Sequence, residues 1–223
     1  MQAIPALSGP VREPAGSARR LVVFLHGLGA DGNDLIGLAD QWADALPDTV
    51  FASPDAHQPC DMAPTGRQWF SLIDRDPAAM AAGAETALPV LNAYLDGLIA
   101  QYDLDDAAMA LVGFSQGGMM ALQAGLRRPD PCAGIAAYSS ALVGADRLAG
   151  QIRARPPVML VHGDADQVVE PTALDHSIRA LAGLGIEAES HLRPGLGHGI
   201  DAQGIALGRD FLARVLGGVR GYN

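Results

Sequence analysis

The sequence predicts an α/β fold, a doubly wound and mostly parallel sheet with helices on both faces. Short apolar, β-branched-rich runs alternate along the chain with segments of helical periodicity. The runs are continuously apolar, as expected of strands buried on both faces. They end in glycine-bearing loops, where an open parallel sheet places its reactive groups.

Arg20–His26, closed by Gly27, reads as a central strand, and Leu35–Leu46 as a helix. The loop between them lacks either phosphate-binding glycine pattern. Its expected use is to aim backbone N–H groups at a developing oxyanion. Thr49–Ser53 is a second strand, stopped by Pro54. From Ala56 to Pro77 the chain reads as irregular, a length usually reserved for function or disorder. Within it the bulk of Trp69, Phe70, Leu72 and Ile73 either pins the loop to the body or forms a short lid-like cap bordering an apolar substrate site. An exposed Trp69 loop could also serve as a homodimer contact.

Ala84–Tyr102 carries leucines at helical spacing, with Pro89 in its first turns. Ala107–Val112 is a buried strand and Met119–Leu126 a helix, ended by Pro129 and Pro131. Two further strands, Cys132–Tyr138 and Arg155–His162, precede a helix over Pro171–Leu184 with Gly185 as its stop. Ile186–Leu192 is the last strand and Ile200–Leu216 a closing amphipathic helix. Residues 1–20 read as an irregular lead-in. At 223 residues the chain suits one domain, 1–223, with one large core.

Between strand and helix, Gly113-Phe114-Ser115-Gln116-Gly117 fits G-x-S-x-G, a turn so tight that its apex residue is strained and its hydroxyl is held at the sheet's carboxyl edge. A serine hydroxyl needs a base to take its proton and an acid to orient that base. Of six histidines, His26 and His162 end buried strands and His191 lies inside one, while His57 and His176 have no glycine-lined loop. His198, between Gly197 and Gly199 after the last strand, is the expected base. Asp164 and Asp166 both follow the strand ending at His162; the nearby Val168-Val169 anchor favours Asp166 slightly. The amides of Leu28 and Gln116 are the expected oxyanion donors, one from the loop after the first long strand and one next to the nucleophile.

Composition excludes other classes. The chain is 49% hydrophobic and 18% charged, with a net charge of -10, and no basic run is long enough to grip nucleic acid. Cys60 and Cys132 form neither a disulfide framework nor a metal-ligand spacing. No apolar stretch approaches a membrane span, and Met1–Arg20 lacks a signal-peptide core, so a cytoplasmic location is expected.

Phe24–Gly32, Gln68–Phe70, Gly113–Gly118, His162–Asp166 and Gly197–Gly199 together resemble the phospholipase/carboxylesterase family of small α/β-hydrolases, which includes acyl-protein thioesterases and bacterial carboxylesterases. The resemblance runs from about Leu21 to the end of the chain. It implies an α/β-hydrolase fold with Ser115 as nucleophile, His198 as base and Asp166 rather than Asp164 as acid. It also supports Leu28 and Gln116 as oxyanion donors and the Trp69 segment as the border of an acyl groove. Gln167 and Glu170 stand where the family usually has prolines. The expected activity is hydrolysis of short- to medium-chain carboxylic esters, or of acyl thioesters, through an acyl-enzyme, with no metal or organic cofactor. Lysophospholipase action is an alternative within the same chemistry. A dienelactone-type hydrolase would typically carry cysteine at position 115, and a ligand-binding relative would usually lack a triad member.

Overall fold

The computed structural model describes residues 4–217. In chain order its elements are β1 (Val11–Arg12), β2 (Arg20–Leu25), α1 (Asn33–Ile36), α2 (Leu38–Trp42), β3 (Thr49–Ala52), β4 (Gln58–Pro59) and β5 (Arg67–Gln68). Then come α3 (Pro77–Tyr102), a 3-10 turn (Asp106–Ala108), β6 (Met109–Phe114), α4 (Gln116–Gly125), β7 (Gly134–Tyr138) and α5 (Ala145–Leu148). The chain closes with β8 (Val158–Gly163), α6 (Thr172–Gly183), β9 (Ala188–Arg193) and α7 (Ala202–Gly217).

Seven strands form one sheet in the order β1-β3-β2-β6-β7-β8-β9. All neighbours are parallel except β1, which adds antiparallel to the edge of β3 with Val11 opposite Ala52. The lead-in is therefore not wholly irregular: it supplies an edge strand. Its first three residues, 1–3, lie outside the described part.

Alternate residues of the central strands feed two cores. Leu21, Val23, Leu25 and Leu111 pack with Leu91 and Leu95 of α3 and Met120 of α4 on one face. Val22, Phe24, Ala110 and Val112 pack with Trp42 of α2 and Phe211 and Leu212 of α7 on the other. Burial on both faces is what made these strands read as continuous apolar runs.

Several element boundaries differ from expectation for local reasons. The helix expected over Leu35–Leu46 is broken into α1 and α2 at Gly37, a residue with poor helix-interior propensity. Helix α3 begins at Pro77 rather than Ala84. The Asp76 carboxylate accepts from the amides of Ala78 at 2.9 Å and Ala79 at 3.4 Å, and Pro77 occupies the first helical position, where its missing N–H costs nothing. Pro89 thus lies well inside the helix. The irregular stretch after Ala56 contains the antiparallel β4–β5 ribbon. Gly185, at φ +73°, sits in the left-handed region just after α6, as expected of a helix stop.

Behind α4, Arg128 joins three segments. Its guanidinium donates two hydrogen bonds to Asp106, at 2.7 and 3.1 Å, and one to Asp96 of α3 at 2.6 Å. Arg128 and Asp106 are both buried. Truncation would strand the Asp106 carboxylate without its partner, so Arg128→Ala is expected to lower the unfolding free energy by about 3–5 kcal/mol in urea titrations. A loss below about 1 kcal/mol would show that water replaces the guanidinium at little cost.

Candidate active site

The elbow is built as the glycine pattern requires. Ser115 has φ 53° and ψ -119°, a left-handed backbone that a non-glycine residue adopts only under constraint. The constraint is steric fit. A Cβ on Gly113 would overlap the backbone of Gly117 and Gly118, and one on Gly117 would overlap the carbonyls of Leu25 and His26. The start of α4 is therefore seated directly on the end of β2. Ser140 Oγ donates to the Ser115 carbonyl at 2.8 Å, tying the elbow to the loop after β7.

His198 lies in the loop after β9. Its Nδ1 is 2.7 Å from Asp166 Oδ2. Because an ionised carboxylate only accepts, Nδ1 carries the proton and Nε2 keeps its lone pair free. The imidazole packs against the Phe114 ring, with centroids 4.8 Å apart. Ser139 Oγ donates to the Gly199 carbonyl at 3.2 Å, holding the next residue of the loop.

Asp166 is buried, 3% exposed. Its Oδ1 accepts from the amides of Val168 at 2.9 Å and Val169 at 3.0 Å. Burial opposes the charge, but the His198 hydrogen bond and these two amides outweigh it and hold the carboxyl below its ordinary value. The stabilisation this charge contributes is present above about pH 4 and is lost as the pH falls through the depressed value. His162, also buried, donates from Nε2 to the Val169 carbonyl at 2.8 Å, with Asp166 Oδ2 3.4 Å away. Asp164 is placed differently: its Oδ1 accepts from Gly195 N and braces the loop before His198.

Ser115 and His198 line one cavity of about 370 Å3. Among the described residues no Ser115–His198 hydrogen bond meets ordinary geometry; such bonds often tighten only with substrate bound. Leu28 also lines this cavity, and Gln116 follows Ser115 at the first position of α4. Among the described residues neither of these two amides has an acceptor, so both remain available as donors.

The loop carrying Leu28 is fixed from below by the β4–β5 ribbon. Gly29 N donates to Arg67 O at 2.9 Å and Arg67 N to Ala30 O at 2.7 Å, while the Arg67 side chain donates to the carbonyls of Ala56 and His57. His26 is structural, as its apolar strand implies. Nδ1 donates to Gly27 O at 2.7 Å and Nε2 accepts from Ala56 N at 3.0 Å, a neutral ring whose pKa is pushed down chiefly by burial.

The residues expected to form the substrate wall are placed differently from one another. Leu72 lines the cavity. Trp69 and Phe70 do not: they are buried behind it, at 0% and 2% exposure. The Trp69 indole donates to His26 O at 3.0 Å, so this residue pins the loop and offers no surface for a dimer contact. Ile73 is 70% exposed and is also not among the lining residues. The remaining apolar wall comes from Met80, Met119, Val143, Val168 and Val169, and one guanidinium, Arg75, joins them. Met119, four residues beyond Ser115, could have been read from the helical period; Val143 and Met80 carry no such signal.

A model of the phospholipase/carboxylesterase family matches residues 9–216. The chain belongs to that family. Relatives include acyl-protein thioesterase 1 of Neurospora crassa, 30% identical over 212 residues, covering 87% of this chain and 86% of the relative. Esterase YpfH of Escherichia coli K12 is 25% identical over 202 residues, covering 91% and 85%. The crystal structure of esterase PE8 superimposes with a TM-score of 0.91 at 46% identity, covering 95% of this chain and all of that one. This phospholipase/carboxylesterase family member thus has the α/β-hydrolase fold and is a carboxylic ester hydrolase. Among its described residues no cluster of His, Cys, Asp or Glu is arranged to hold a metal ion, and no helix is long and apolar enough to cross a membrane.

Proposed function

We propose that the protein is a serine carboxylesterase in which Ser115, His198 and Asp166 form the catalytic triad. The observation that carries this reading is the His198–Asp166 hydrogen bond of 2.7 Å beside a cavity that Ser115 shares. His198 Nε2 takes the Ser115 proton as Oγ attacks the ester carbonyl, and Asp166 stabilises the resulting imidazolium. The tetrahedral oxyanion binds the Leu28 and Gln116 amides, either of which is worth about 3 kcal/mol in such sites. His198 then protonates the leaving alcohol, and water attacks the acyl-enzyme through the same base.

The cavity lies near the small end of the range of about 300–1,000 Å3 common for ligand sites, and its wall is mostly aliphatic. Short- to medium-chain acyl groups suit it. The Neurospora crassa relative is named an acyl-protein thioesterase, and the same groups would cleave a thioester by the same steps. Cys60 and Cys132 are both free thiols, consistent with a reducing, cytoplasmic setting.

The test is labelling by a fluorophosphonate probe, with p-nitrophenyl ester hydrolysis followed in parallel. Labelling at Ser115 is expected, and its loss in His198→Ala. An unlabelled protein, or a folded His198→Ala variant labelled as fast as the wild type, would overturn the triad reading.

A further inference from the structure

We propose that Arg75 is a specificity-determining residue that binds an anionic group carried by the ester substrate, an inference that rests on the hydrolase reading above. Among the described residues, Arg75 is, apart from His198, the one ionisable side chain lining the Ser115 cavity. It stands between Leu72, which forms one wall, and the first turn of α3, which contributes Met80.

Its charge is not consumed inside the protein. Arg128 holds two carboxylates, Arg193 one, and Arg67 two carbonyls. Among the described residues Arg75 has no such hydrogen bond or ion pair, although an aspartate flanks it on either side. Both of those carboxylates are directed to the backbone instead. Asp74 Oδ1 accepts from Asp76 N at 2.9 Å, and Asp76 Oδ1 caps α3 through Ala78 and Ala79. Neither makes an ion pair with the guanidinium.

A largely apolar cavity with one solvent-exposed, unpaired guanidinium at its edge is suited to an ester with an apolar body and a carboxylate or phosphate at one end. The guanidinium presents a planar fork of donors that matches such oxyanions in bidentate fashion.

The experiment uses paired esters that differ only in charge. Mono-p-nitrophenyl glutarate against its methyl ester places the anion on the acyl side. Para-butyryloxybenzoate against its methyl ester places it on the alcohol side. Arg75→Gln is expected to lower the anionic-to-neutral ratio of kcat/KM about ten-fold for one of the two pairs. Arg75→Glu should lower it further and Arg75→Lys restore part of it. Added salt should shrink the wild-type ratio. A structural loss would depress both members of a pair together. Ratios that stay constant for both pairs while neutral esters still turn over would therefore overturn the Arg75 proposal alone. Failure of the wild type to turn over any of the four esters would overturn the hydrolase reading and this proposal with it.

Discussion

Ser115→Ala is expected to lower kcat by about 10^5-fold, to the residual rate that an oxyanion site and binding alone provide. The same variant should lose fluorophosphonate labelling completely. Its thermal transition should stay close to that of the wild type, because the strain at φ 53° belongs to the backbone and not to the hydroxyl. The Ser115 carbonyl keeps its bond from Ser140, and the glycines on either side still allow the turn. A kcat within ten-fold of the wild type, measured on p-nitrophenyl butyrate, would remove Ser115 from the chemistry.

Asp166→Asn is expected to cost about 10^4-fold in kcat with little change in fold, and the hydrogen-bond geometry says why. Oδ1 accepts two backbone amides, so an asparagine must place its carbonyl oxygen there. Its NH2 group then faces His198 Nδ1, which must become an acceptor. The ring proton moves to Nε2, the atom that has to receive the proton of Ser115. The alternative flip would set an NH2 donor against two N–H donors. The variant should therefore bind substrate with a nearly unchanged KM while kcat collapses. A full-rate variant would show that His198 reaches the correct tautomer without Asp166.

The legible parts of the site were those in which one short stretch dictates its own geometry. Gly113, Gly117 and Ser115 announce an elbow because the turn cannot be made without them. His198 stands out through its glycine neighbours. Asp166 was harder to separate from Asp164, since both occupy one loop and only the third dimension shows which reaches the imidazole and which braces Gly195. The cavity wall was the least readable. Its residues come from several separate loops and from α3 and α4, and no period connects Leu72 with Val143 or Val168. Trp69 stayed open between two readings for a physical reason: a bulky aromatic in a loop is equally suited to a pocket wall or an anchor, and its indole found the His26 carbonyl. The start of α3 carried a usable signal in Asp76-Pro77, a cap followed by proline, which outweighed the leucine spacing that begins later. The break at Gly37 was a weaker hint, because isolated glycines are often tolerated inside helices.

Gln116 adjoins Ser115 through its amide and braces a second loop through its side chain. The buried carboxamide accepts from Trp69 N at 2.9 Å through Oε1 and donates to Phe70 O at 2.7 Å through Nε2. The carboxamide acts toward the Trp69–Phe70 segment as a neighbouring strand would. Any loop grafted between relatives to alter substrate range would therefore need its splice point after Phe70. From Ser71 to Arg75 the side chains are exposed or half-buried; one residue earlier, the graft would replace the buried Phe70 ring that packs against Gly83.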